Sequence, residues 1–214
     1  MTLEVFRTAK DDFLRGGHDS PLDHEQRHGF NGLRYYPEDP AFRLTVELDA
    51  TEAGSSEEIE TSNGFAEPMI RAGQLRFTVD GRSVHLTAFR SHDDGTLFIP
   101  FRDATGKTET YPAGRYVEAE PAADGRWLLD FNRAYNPYCA YNDAWRCPLP
   151  PAENWLDVEI RAGEKRFHRR CSASVDLSTG RTHSRKAIGS HVPGSERVSR
   201  DGLRPASLFY WPLR

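Results

Sequence analysis

From Phe42 to Asp49 apolar and polar side chains alternate, with Phe42, Leu44, Val46 and Leu48 set against Arg43, Thr45, Glu47 and Asp49. A period of two puts each set on its own face of an extended chain, so the run predicts a half-buried strand. The pattern returns at Leu75, Phe77 and Val79 and, after Asp80-Gly81, at Val84, Leu86 and Ala88. Asp-Gly supplies the positive φ angles of a two-residue turn, so these runs predict a hairpin. Further strands are expected near residues 59–62, 97–101, 115–119, 127–132 and 156–161. Strands this short, with turn signals between them and no helical period, do not easily make a parallel βαβ sheet and favour an antiparallel one. The chain is expected to be mainly β: an antiparallel barrel or sandwich of seven to eight short strands with an N-terminal amphipathic helix.

That helix is read from Leu3, Phe6, Phe13 and Leu14, which recur at helical spacing over residues 2–15 before Gly16 and Gly17. A second helical turn is expected after Ser20, where "SPLDHEQR" offers a cap, a proline and acids. Charge then divides the chain. Residues 1–165 carry 18 Lys and Arg against 29 Asp and Glu, a net −11, whereas residues 166–214 carry 10 against 3, a net +7. The resulting organisation is a helical segment over 1–30, a β domain over 31–165, and a basic, disordered extension over 166–214, rich in Ser, Arg and Gly without a sustained period. An acidic body argues against nucleic acid on the folded domain. No apolar run approaches a membrane span, so a soluble cytoplasmic protein without membrane contact is expected. Three cysteines, Cys139, Cys147 and Cys171, read as free thiols.

Short motifs do not fix an activity. His24-Glu25-Gln26-Arg27-His28 matches the H-E-x-x-H pattern of zinc peptidases, but Gly29 ends the segment after hardly two turns and no third ligand stands at a characteristic spacing. A solvated helical turn is expected, and neither a metal nor a cofactor. Gly106-Lys107-Thr108 ends like a phosphate-binding loop, yet Phe101 stands where the required glycine should be and Pro112 follows, so a polar hairpin tip is the reading. No G-x-S-x-G elbow and no dinucleotide fingerprint is present.

The candidate site residues lie in "PFRDATGKTETYPAGRYVEAE" and "FNRAYNPYCAYNDAWRCPLPPAEN". The leading expectation is a barrel that binds a small polar or anionic molecule. Arg102 and Arg115 would present planar forks to the anion, with Asp103, Asn132 and Asn136 as polar contacts and Tyr111, Tyr116 and Tyr141 as walls. The bland alternative is an Arg-Asp pair pinning a long loop. A second expectation is an enzyme using Cys139 as nucleophile or redox thiol, with Asp130 as carboxylate partner. A third is an interaction protein acting through its basic tail. The amides and aromatics of the second stretch also have a structural use, because ordered loops lacking ladder bonds need side chains to satisfy backbone groups.

The segments "SPLDHEQRHGFNGLRYYPEDPAFRL", "IPFRDATGKTETYPAGRYVEA" and "LDFNRAYNPYCAYNDAWRCPLPPAENWLDVEIRAGE" resemble the prokaryotic domain-of-unknown-function family 1684. The resemblance covers about residues 11–164 and implies a domain that ends near "AGE". It brings no settled activity, and it implies that the paired histidines His24 and His28 are local to this chain.

Overall fold

The computed structural model describes residues 1–91, 95–168 and 204–205, so most of the basic extension, Cys171 included, lies outside the described residues. Helix α1 (Leu3–Gly16) is capped by the Thr2 hydroxyl, which accepts the Val5 amide. Its inner stripe buries Leu14 and, unexpectedly, Lys10. Helix α2 (His24–His28) is shorter than the sequence reading and starts later: Asp23, not Ser20, is its cap, in a reciprocal pair with Gln26. Ser20 instead donates to the Leu14 carbonyl and accepts the Leu22 amide, closing the link between the helices.

The β strands are β1 (Arg43–Val46), β2 (Leu48–Asp49), β3 (Ser56–Glu60), β4 (Ala66–Val79), β5 (Arg82–Arg90), β6 (Leu97–Phe101), β7 (Arg115–Pro121) and β8 (Trp127–Asp130). A two-residue strand β9 (Trp145–Arg146) pairs in parallel with β10 (Arg204–Pro205). The eight-stranded sheet runs β1-β8-β7-β6-β5-β4-β2, with β3 on β4. Since only Glu47 separates β1 from β2, one run of chain pairs with β8 by its first half and with β4 by its second. That shared strand joins the two ends of the sheet and makes a nearly closed antiparallel barrel, which removes most of the exposed edge. The β4–β5 hairpin turns at Asp80 (φ 48°) and Gly81 (φ 75°), as Asp-Gly requires.

Alternation sorts the side chains. Leu75, Phe77, Leu86, Ile99, Val117 and Leu129 fill the barrel with apolar atoms. Phe89, Phe98 and Tyr116 point outward but are buried with Ile59 and Met69, where Cys139, Trp145 and Cys147 cover them. Strand β6 is therefore buried along its whole length. Loop 131–150 is the lid of this second core.

Three local expectations change. The strand expected to reach residue 132 ends at Asp130, whose carboxylate accepts the Asn132 amide and starts a 3-10 turn, Phe131–Arg133. The polar tip at "ATGK" is a 3-10 turn, Ala104–Lys107, with Thr105 and Gly106 buried, because Asp103 caps it. Residues 156–161 keep the predicted burial, Val158 and Ile160 inside, but join no ladder. Main chain and side chains share their polar backbone: the Leu156 amide donates to the Arg102 carbonyl and the Val158 carbonyl accepts the Ala104 amide, while the Ile160 amide donates to Asp103 Oδ2 and the Ile160 carbonyl accepts from Arg115.

Candidate functional site

The first cluster is the Arg-Asp pair. Arg115 opens β7 and is 1 % exposed. Its Nη1 donates to the carbonyls of Ala162 and Glu164, and its Nη2 to the Ile160 carbonyl (2.8 Å) and Asp103 Oδ1 (3.1 Å). The other Asp103 oxygen accepts the Thr105 hydroxyl at 2.7 Å and the Ile160 amide at 2.8 Å. The planar fork read as an anion clamp is thus filled by the chain's own carbonyls, and Arg115 straps segment 160–164 to the barrel. Arg102, one residue before Asp103, is exposed, with its guanidinium 5.0 Å from the centre of the Trp155 ring. The two arginines do not converge.

A second cluster surrounds a residue absent from the sequence candidates. Glu164 is fully buried; its Oε2 accepts Lys10 Nζ (2.7 Å) and the Asn136 amide (3.1 Å), and its Oε1 accepts Asn136 Nδ2 (2.6 Å) and the Tyr141 hydroxyl. The Lys10 ammonium also lies 4.6 Å from the Tyr135 ring centre. A buried carboxylate is tolerated when paired and hydrogen-bonded on both oxygens, and this one is. Burial, then the Glu164 charge, pushes the Tyr141 phenol well above its ordinary pKa. The cluster joins α1, loop 131–150 and segment 160–164. One sequence signal pointed to it: Lys10 stands on the apolar stripe of α1, between Phe6 and Leu14.

Asn132 accepts the Asp39 amide and donates to the Asp39 carbonyl, behaving like a strand neighbour, and also donates to Asp130 Oδ1. Asn154 does the same for Thr87 and adds a bond to the Pro100 carbonyl. Tyr116 donates to the Pro148 carbonyl at 2.6 Å. These buried polar groups replace ladder bonds that an irregular chain cannot make.

The third cluster contains chemistry. Cys139 and Cys147 are 4 % and 1 % exposed, and the Cys139 amide donates to Cys147 Sγ at 3.3 Å. The Tyr111 hydroxyl donates to Cys139 Sγ at 3.9 Å, within the range of sulfur hydrogen bonds. Ser62 holds the Cys147 backbone from both sides, its hydroxyl accepting the Cys147 amide and its own amide donating to the Cys147 carbonyl. A hydrogen bond with the Cys147 thiol holds the Cys139 pKa below its ordinary value against the opposing effect of burial, with help from Tyr111 and Ser62. That same bond and burial push the Cys147 thiol up. Asp130, the carboxylate expected beside Cys139, is engaged with Asn132 and lies 3.9 Å from Arg133 Nε.

Among the described residues no group of three or more metal-ligating side chains occurs, and no helix is long and apolar enough to cross a membrane. The candidate residues therefore fall into separate environments: Arg115 with Asp103, Asn136 with Tyr141 at Glu164, and Tyr111 and Tyr116 with Cys139 in the outer core.

The solution NMR structure of an uncharacterised protein from Haloarcula marismortui is 41% identical, with a TM-score of 0.61, over 76% of this chain and 91% of that one. No curated protein matches the chain. The family model described as protein of unknown function DUF1684 matches residues 28–165, from the end of α2 through the Glu164 cluster, and the chain belongs to that family.

Proposed function

We propose that this barrel is a thiol-based redox protein, with Cys139 as the attacking thiolate and Cys147 as the resolving thiol, acting on a small peroxide. The observation that carries the reading is the contact of the two residues, the Cys139 amide lying 3.3 Å from Cys147 Sγ. The Cys139 thiolate attacks one peroxide oxygen: an S–O bond forms, the O–O bond breaks, and the departing oxygen takes up a proton. Cys147 then attacks that sulfur; the S–S bond forms as the S–O bond breaks, and the second oxygen leaves as water with the Cys147 proton. The two sulfurs lose the electron pair that the peroxide gains, and an external thiol returns the disulfide to the dithiol. The depth of both sulfurs selects a small oxidant.

The test is peptide mapping of the folded protein after stoichiometric hydrogen peroxide. A disulfide joining Cys139 to Cys147 is expected in the wild type, and a sulfenic acid at Cys139, trapped by dimedone, in Cys147→Ser. Both thiols intact after exposure would overturn the reading.

A second reading, binding of a small anion, is favoured by Arg102 alone, an exposed guanidinium against the half-exposed Trp155 ring. Phosphate or a dicarboxylate should then raise the thermal midpoint of the wild type and not of Arg102→Met. An equal shift in both proteins would remove this reading.

A further inference from the structure

The H-E-x-x-H segment lacks the setting of a peptidase, yet its two histidines meet. His24 and His28, one helical turn apart on α2, are exposed, and their Nε2 atoms lie 3.2 Å from each other. The rings stand edge to face, with centres 4.4 Å apart. The two Nε2 atoms thus sit side by side at the surface, within hydrogen-bond reach, and a metal would take the place of the proton they share. A transition metal placed about 2.0–2.1 Å from each nitrogen would subtend an angle of about 100° between them, which suits tetrahedral or cis-octahedral coordination.

The chelate is also held in place. Asp23 and Gln26 satisfy one another's backbone amides across the first turn of α2. Gln26 Nε2 donates to the Tyr141 carbonyl at 2.9 Å, and Arg27 Nε to the Leu22 carbonyl at 2.9 Å. A five-residue helix would not persist alone, but the local bonds close its turns and the Gln26–Tyr141 bond fixes it to the body, so little ordering remains to oppose binding.

We propose that His24 and His28 form a bidentate surface site for a borderline divalent transition metal, such as Zn²⁺, Ni²⁺ or Cu²⁺, with water completing the coordination sphere. Glu25 takes no part as a general base, and the site performs no hydrolysis. Two neutral imidazoles attract these ions and not Mg²⁺ or Ca²⁺, which take oxygen ligands.

Calorimetric titration of the full chain with NiCl₂ tests this, at neutral pH with excess Mg²⁺ present. The wild type should bind Ni²⁺, and His24→Asn and His28→Asn should each weaken binding about tenfold or more, since each leaves a single imidazole. Both histidines are exposed, so the variants should keep the wild-type thermal midpoint in the absence of metal. Unchanged Ni²⁺ affinity in either variant, or displacement of Ni²⁺ by Mg²⁺, would overturn the proposal.

Discussion

Replacing Arg115 with Met keeps an unbranched apolar side chain in place and removes every polar contact of the guanidinium, together with its position over the Phe101 ring. The carbonyls of Ile160, Ala162 and Glu164 lose their donor, and Asp103, 5 % exposed, loses its cation. Breaking a buried ion pair costs about 3–5 kcal/mol. Asp103 keeps its bonds from Thr105 and the Ile160 amide, which places the ionic part near the lower end. Each orphaned carbonyl adds up to about 1–3 kcal/mol, reduced where water follows the cut. A total loss of about 4–6 kcal/mol is expected, a large part of the roughly 5–15 kcal/mol that holds a domain of this kind together. Urea unfolding followed by tryptophan fluorescence and by circular dichroism measures it. Arg102→Met is the control and should fall within about 0.5 kcal/mol of wild type, as exposed substitutions do. Arg115→Lys should lie between, because an ammonium can meet Asp103 but cannot span three carbonyls. A loss below about 1 kcal/mol for Arg115→Met would refute the strap, since no buried fork serving three carbonyls is that dispensable.

Gly163 has φ 76°, and a Cβ there would lie 2.5 Å from the Ala134 carbonyl oxygen and 2.7 Å from that of Phe131. Gly163→Ala should therefore cost about 2–4 kcal/mol and lower the thermal midpoint, whereas an unchanged midpoint would show that segment 160–164 is not pressed against the 131–134 turn. Burial pushes the Tyr36 phenol up to about 12, and pushes Tyr116, Tyr135 and Tyr141 well above their ordinary value. An unfolded tyrosine releases its proton near pH about 10 while these keep theirs, so the stability they contribute is complete below that pH. It is lost above it, by about 1.4 kcal/mol per pH unit for each tyrosine. Urea midpoints should drop between pH 9.5 and 11 as tyrosinate absorbance rises with unfolding; ordinary titration of all tyrosines in a still-folded protein would contradict this.

Strands were legible where one face of the chain meets the core, as at Phe42 to Asp49 and around Asp80-Gly81, because burial imposes a period of two. Barrel closure was not, since it depends on one strand changing partner at Glu47, and both partners are distant in sequence. Leu156, Val158 and Ile160 alternate as strand residues do, but the period reports only which side chains turn inward, not what satisfies the backbone. Arg115 and Asp103 were recognisable as partners from their place at a long turn. The choice between the anion clamp and the pair that pins a loop was not, because a guanidinium that meets a ligand and one that meets main-chain carbonyls have the same spelling; the structure has the pair. Glu164 was invisible for a related reason: a buried acid is marked only by its partners, and the one outward sign was a lysine on the apolar stripe of α1.

The loop that carries the thiols depends on these silent residues. Asn136, at its start, is bound through both its backbone amide and its side chain to Glu164, which Lys10 anchors from α1. At its end, Pro148 is held by the Tyr116 hydroxyl and by a bridge to Thr61, and Leu149 donates to the Glu60 carbonyl. Cys139 and Cys147 lie between these two attachments, each close to one of them. Pinning both ends of a chain of this length removes most of the freedom that would let the sulfurs drift apart, much as loop closure does elsewhere. The Glu164 network is thus the support of the thiol pair rather than a rival to it. Weakening it, as in Lys10→Met, should separate the thiols before it unfolds the barrel, because the barrel interior is packed without any of these residues.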